Sequence, residues 1–286
     1  MSDENKIRDA ADAIKGIVEA VPVYQDAVQP AAKEIGTALQ TVAKTIHIAL
    51  APVSALVWGY DKLTGFLSTR VAEKLKHVPP DCIATPKPNV AGPALEALRY
   101  TGHEESLREM YANLLAASMD TRTAKGAHPA FVEIIKQLTP DEARLLKLMS
   151  VSRPLPLINV RREFKSPTAT ERGSSELMAN FSLLGWEAGC EHPEQTPTYL
   201  NNLCRLGLSE IPVMYEYTAP NVYDEVESHP IVQAIKAAFE SNAKYRIDIL
   251  RGGLRITALG RLFCDTCVVS HDDKELTVAS SHMAHD

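Results

Sequence analysis

Tyr245-Arg246-Ile247-Asp248-Ile249-Leu250-Arg251-Gly252-Gly253-Leu254-Arg255-Ile256 is the stretch that decides between an all-helical chain and a mixed one. Tyr245, Ile247 and Ile249 alternate with polar residues, the two-residue period of a half-buried strand. Arg251-Gly252-Gly253 reads as a hairpin turn, and Leu254 and Ile256 as the returning strand. A closing helix is expected over 258–268. Just upstream, Asp224 to Asn242 has the texture of an inserted helix. Before that, Ile211, Val213, Tyr215 and Tyr217 alternate, so a strand is expected over 208–218.

Further outward the pattern turns helical. Thr139-Pro140-Asp141-Glu142 is a capping box, a Thr hydroxyl at the N-cap and a Glu three residues on. It opens a helix carrying Leu145, Leu146 and Met149. A short strand is expected over 155–160, and a helix over 174–186 through Leu177, Met178, Phe181 and Leu184. Another helix starts at Thr196-Pro197 and stops at Gly207. Helix, strand, two helices, a strand pair and a last helix resemble a winged-helix unit. Ile256-Thr257-Ala258-Leu259-Gly260-Arg261-Leu262-Phe263 sits where such units leave the wing and enter that last helix. The insertion at 219–243 departs from the minimal pattern.

The front of the chain reads as helices broken by one proline-rich stretch. Ile35, Leu39, Val42, Ile46 and Leu50 recur at three- and four-residue steps. Glu105 to Met119 places Leu107, Met110, Tyr111, Leu114, Leu115 and Ser118 on one stripe, with Glu104, Glu105, Arg108, Glu109 and Asn113 at polar positions. Pro129 to Leu138 repeats the pattern through Phe131, Ile134 and Ile135. Between them and the first helices, Pro79, Pro80, Pro86, Pro88 and Pro93 forbid a regular helix and favour an extended path. The fold class is therefore mainly α, a helical N-terminal part plus a C-terminal α+β winged-helix-like domain. The expected boundaries are a helical segment over 1–76, a Pro-rich linker or strap over 77–93, a helical pair over 94–138, the winged-helix-like domain over 139–270 and a disordered tail over 271–286.

Composition narrows the function classes. The chain has 286 residues, 45% of them hydrophobic, and a formal charge of −6. An acidic balance argues against wholesale nucleic-acid binding. The odd number of cysteines does not form a secreted disulfide framework, and Met1 to Lys6 is polar rather than leader-like. A cytoplasmic location is expected. Thr45 to Tyr60 holds no charged residue. Leu56, Val57 and Trp58 within it could form a partner helix, or meet a membrane after a trigger, although the run falls short of the roughly 20 residues a spanning helix needs.

Catalytic motifs fail one by one. His192-Pro193-Glu194 followed by Cys264-Asp265-Thr266-Cys267 has the order of a zinc deaminase, but Phe263 stands where that motif needs proline. Cys264 and Cys267 are better read as core cysteines. Arg172-Gly173-Ser174-Ser175 lacks the second glycine of a nucleophile elbow. There is no phosphate-binding P-loop and no G-x-G-x-x-G. No catalytic residue, metal ligand, cofactor or small-molecule substrate is identified, and the chain is read as a non-enzyme.

Binding chemistry is more promising. Lys244, Arg246, Arg251, Arg255 and Arg261 face a single acid, Asp248, within 244–261, and a cationic ribbon can grip phosphates. The helix from Pro197 offers Thr198, Tyr199, Asn201, Asn202 and Arg205, and Asn and Arg can read base edges. Against this stand Glu187, Glu191, Glu194 and Glu210. Winged helices also dock proteins.

Two blocks carry a family resemblance. Leu50-Ala51-Pro52-Val53-Ser54-Ala55-Leu56-Val57-Trp58-Gly59-Tyr60-Asp61-Lys62 resembles the early apolar segment of the abortive infection alpha family. Leu107-Arg108-Glu109-Met110-Tyr111-Ala112-Asn113-Leu114-Leu115-Ala116-Ala117-Ser118-Met119-Asp120, leading into His128-Pro129-Ala130-Phe131, resembles its middle block. The resemblance implies a bacterial protein of phage defence, in which an infected cell halts before phage release. It supplies no catalytic residues. The expectation is a defence protein that acts by protein binding and self-association. A membrane-perturbing effector using 46–67 and a winged-helix nucleic-acid binder are its rivals.

Overall fold

The computed structural model describes residues 60–168 and 170–269. Leu56, Val57, Trp58 and the tail expected to be disordered lie outside them. The described residues fall into two compact units, 60–140 with 263–269, and 141–262. Among them no helix is long and apolar enough to cross a membrane.

The first unit is helical. Helix α1 (Tyr60–Phe66) runs through a wider π-helical turn (Leu67–Val71) into α2 (Ala72–Lys74). Leu63, Phe66, Leu67, Val71 and Leu75 are buried along it. Helix α3 (Pro88–Thr101) corrects the expected extended strap. Only the stretch to Lys87 is irregular, and Pro88 opens the helix, where a missing N–H costs nothing. Pro93 lies inside it. Burial of Val90, Ala91, Ala94, Leu95 and Leu98 offsets the one lost hydrogen bond.

Helix α4 (Glu105–Met119) is buried nearly all round from Met110 to Met119. That makes it the unit's central rod rather than a one-sided surface helix. Asn113, expected at a polar position of the helix, is buried. Its Nδ2 donates to the carbonyl of Cys267 at 2.9 Å. Helix α5 (Ala130–Ile135) adds Phe131, whose ring meets Phe263 edge-on at 5.2 Å. At the surface, Glu109 of α4 binds Arg70 at 2.7 Å and Lys74 at 3.2 Å.

The second unit is mixed. Helix α6 (Pro140–Met149) starts where the capping box places it. Strand β1 (Pro156–Phe164) pairs antiparallel with β2 (Ser174–Phe181) on one side and with β4 (Tyr245–Gly253) on the other. The sheet order is β2-β1-β4. Between them lie α7 (Leu184–Glu187), α8 (Thr196–Arg205), the short β3 (Ser209–Glu210), α9 (Asp224–Ser228) and α10 (Pro230–Glu240). Strand β5 (Arg255–Ile256) pairs with β3, and α11 (Ala258–Phe263) continues as a π-helical turn over Cys264–Val268. Ile158, Val160, Phe181, Tyr223, Val226 and Val232 form the core under the sheet, joined by Met178, Ile235, Ile247 and Ile249.

Four expectations for the second unit are overturned. The segment 174–181 is strand, not helix. Its Glu, Leu, Met and Ala favour a helix, but pairing Phe181 with Ile158 and Met178 with Val160 buries its apolar side in the sheet, and tertiary context wins. The strand over 208–218 stops at Glu210, because Pro212 has no N–H to donate and Met214 turns to a φ of +55°.

Most consequentially, Arg251-Gly252-Gly253 is not a hairpin turn. Gly252 and Gly253 lie inside β4, opposite Leu157 and Pro156. Their missing Cβ atoms make room instead of a turn. A Cβ on Gly252 would sit 2.8 Å from Leu157, and one on Gly253 would sit 2.7 Å from Tyr217 and 2.8 Å from Tyr215. The inserted helix over 224–242 also breaks in two at His229-Pro230, where Pro230 restarts it.

Candidate partner-binding surface

Helix α8 is fixed in place by two acids that the sequence presents only as first-turn residues of α6. Asp141 is 4% exposed. Its carboxylate accepts from the backbone N–H of Glu191 at 2.9 Å, from that of His192 at 3.0 Å and from the Tyr199 hydroxyl at 3.0 Å. Arg144 donates to it as well. Burial pushes the Asp141 carboxyl up, but these donors outweigh burial and hold it below the usual carboxylate range. Glu142, also buried, accepts from Asn202 Nδ2 at 2.7 Å. Little local signals this hub, since apart from Arg144 its donors lie 50 residues or more further along the chain.

These contacts engage two of the residues expected to read bases. Tyr199 is bound to Asp141 and Asn202 to Glu142. Arg205 donates to Asn202 Oδ1 at 2.6 Å. Asn201 is exposed, with the Asn180 amide 3.5 Å away.

The cationic set of the expected wing is likewise engaged. Arg251 Nε donates to Glu227 at 2.6 Å, and Arg255 meets Glu210 at 2.5 Å, its partner across β3 and β5. Arg246 meets Glu163 at 3.2 Å, and Lys244 meets Glu171 at 2.7 Å. Arg161 meets Asp248 at 2.9 Å. Arg261 donates to the carbonyl of Ile256 at 2.9 Å. The structure therefore does not gather Lys244, Arg246, Arg251 and Arg255 into one phosphate-binding ribbon. Lys244 and Arg246 lie at the start of β4, just before and just inside it, whereas Arg251 is near its other end and Arg255 is in β5.

That other end carries a built apolar projection. Tyr217 accepts from the N–H of Leu155 and donates to the carbonyl of Leu254, both at 3.1 Å. Tyr223 donates to the carbonyl of Gly252 and accepts from the N–H of Tyr217, both at 2.9 Å. Tyr215 packs edge-on against Tyr217, and Arg255 lies over its ring. From this braced base the turn at Pro212 to Tyr215 holds Val213 91% exposed and Met214 97% exposed. Met214 also takes the left-handed backbone that non-glycine residues avoid. An open cleft of about 340 Å³ follows in the chain, lined by Glu216, Tyr217, Asn221, Tyr223, Asp224 and Arg251. The alternation of Ile211, Val213, Tyr215 and Tyr217 is the one sequence signal at this place, and it points to a strand instead.

Two of the cysteines sit in unreactive settings. Burial pushes the Cys264 thiol up to about 12 and the Cys190 thiol up to about 11. Among the described residues no three His, Cys, Asp or Glu side chains gather as a metal site.

Residues 59–267 match the model of the family described as abortive infection alpha. A solved structure described as that of an uncharacterized protein from the hydrocarbon-degrading marine bacterium Alcanivorax borkumensis SK2 is similar at 25% identity. The likeness covers 49% of this chain and 92% of that one, with a TM-score of 0.33. No curated protein matches the chain.

Proposed function

The chain belongs to the abortive infection alpha family, and on that premise we propose that it is a phage-defence protein acting by protein binding and self-association, without a reaction of its own. The observation that carries this reading is the Val213–Met214 turn. Two large apolar side chains stand in water on a backbone braced by tyrosines. Burying both side chains against a partner removes apolar surface from water, and rigid aromatic bracing lowers the entropy lost on docking.

We read residues 141–262 as a winged helix with insertions. Support comes from the pairing of β3 with β5 and of β1 with β4, with α6, α7 and α8 in the order such units use. In that reading Val213 and Met214 belong to the wing region, used here for protein contact. The paired state of Arg251 and Arg255 favours protein over duplex DNA as its target. The thiols of Cys190 and Cys264 stay protonated at neutral pH, which fits a binding role better than nucleophilic catalysis.

The test is a one-step phage growth experiment in bacteria with and without the chain. The reading expects infected cells to stop growing before release, with a reduced burst. An unchanged burst across a broad phage panel would sink it.

A further inference from the structure

The far end of the sheet, where β1 turns into β2 and β4 begins, gathers chemistry that the sequence splits between two distant segments. Phe164 is opposite Tyr245 in the last register pair of β1 and β4, and their rings lie 4.9 Å apart. The N–H of Lys165 donates to the carbonyl of Lys244 at 2.9 Å, closing this end. Glu163 pairs in register with Ser174, which brings Arg172 to the same place. Arg162 stacks over the Tyr245 ring at 5.0 Å, and Lys244 lies over Phe164 at 5.4 Å. Arg162, Lys165, Arg172 and Lys244 thus lie about the ring pair with Glu171, while Arg246 and Glu163 pair on the sheet's other face with Arg161 and Asp248. Among the described residues Arg162, Lys165 and Arg172 take part in no ion pair, and Lys165 and Arg172 are exposed.

We infer that this sheet end binds single-stranded nucleic acid, its bases stacking on Phe164 and Tyr245 and its phosphates meeting Lys165, Arg172 and Lys244. The site is separate from the Val213–Met214 turn and does not depend on the reading of that turn. Aromatic faces interleaved with cations are the working parts of strand-binding grooves, because every base has a face to stack and every nucleotide a charge to neutralise. Lys244 covers both rings only through a flexible stem. An incoming base takes the ring face while the ammonium moves to a neighbouring phosphate. A duplex hides its bases, and the carboxylates of an acidic peptide have no face to stack, so an unpaired strand, with a stacking face at every charge, fits the pair of rings best.

The full chain is titrated against a fluorescein-labelled 20-nucleotide DNA strand, the RNA of the same sequence and the DNA duplex, by anisotropy. Binding of either strand is expected, falling about 20-fold between 50 and 200 mM salt for about three phosphate contacts. Which strand binds tighter identifies the natural source. The exposed double change Lys165→Glu with Arg172→Glu is expected to weaken binding at least about tenfold. Phe164→Leu should weaken strand binding about tenfold by loss of stacking. If that variant is unfolded, the double change alone decides the question. Arg251→Ala with Arg255→Ala should leave binding intact. No binding at 50 mM salt would overturn the inference. So would equal affinity for the duplex, for polyglutamate or for anionic vesicles, and so would an unaltered affinity in the double variant.

Discussion

Arg251 lies over the ring of Tyr223 at 5.1 Å while its Nε holds the Glu227 carboxylate at 2.6 Å. One residue thus joins β4 to α9, and its charge is spent on the fold's own acid. For the cations of the expected wing this pairing is the rule. Arg251→Ala with Arg255→Ala is therefore predicted to leave nucleic-acid affinity unchanged within about twofold, and to shift the melting temperature by no more than about 2 °C, because exposed pairs contribute little. Anisotropy and thermal melting check both halves.

Asp141 is a different case, buried and serving several donors. Asp141→Ala leaves the N–H groups of Glu191 and His192 without that acceptor and should cost roughly 2–4 kcal/mol in urea unfolding. Its pH behaviour follows from the depressed carboxyl. The stabilisation is fully present above the unfolded value, about 3.9, and is lost as the pH falls through the lower folded value. Asp141→Asn should flatten that acid limb of the stability curve. A wild-type acid limb in the Asn variant would refute this assignment.

Gly253 tests the reading of the two glycines. A Cβ there meets the rings of Tyr215 and Tyr217, and Tyr217 is tied at its hydroxyl. Gly253→Ala is predicted to destabilise by about 1–3 kcal/mol, the range for overpacking. A turn glycine with an ordinary φ would tolerate alanine, so a neutral result in urea unfolding would contradict the close-packing account.

How far these features were legible depends on the range of the forces involved. The α4 helix and the start of α6 are local, set by helical spacing and a capping box, and both helices form where expected, although α4 is buried nearly all round rather than along one stripe. Gly252-Gly253 misleads because the same pair serves a turn or a close approach, and only the tyrosines across the space decide which. Segment 174–181 misleads because its propensity is helical while its partner, β1, is extended. Asp141 and the Phe164–Tyr245 pair were out of reach. Each depends on partners dozens of residues away, which no local pattern announces.

The thiol of Cys190, raised to about 11, should react with iodoacetamide at pH 7.5 far more slowly than an ordinary cysteine, since the thiolate is the nucleophile. Its labelling, followed by mass spectrometry of the peptide, should rise only toward that pH. Fast labelling at neutral pH would show that the thiol is activated and would reopen a catalytic role.

The most direct measurement is the plating efficiency of a phage the wild-type chain resists, on cells carrying Val213→Asp with Met214→Asp. Both side chains are in solvent, so the fold should keep its melting temperature. The predicted result is restored plaque formation, as expected when hot-spot contacts worth about 2 kcal/mol or more are lost, alongside full protection by Arg251→Ala with Arg255→Ala. Intact resistance in the folded double-aspartate variant would contradict the claim that this turn docks the partner.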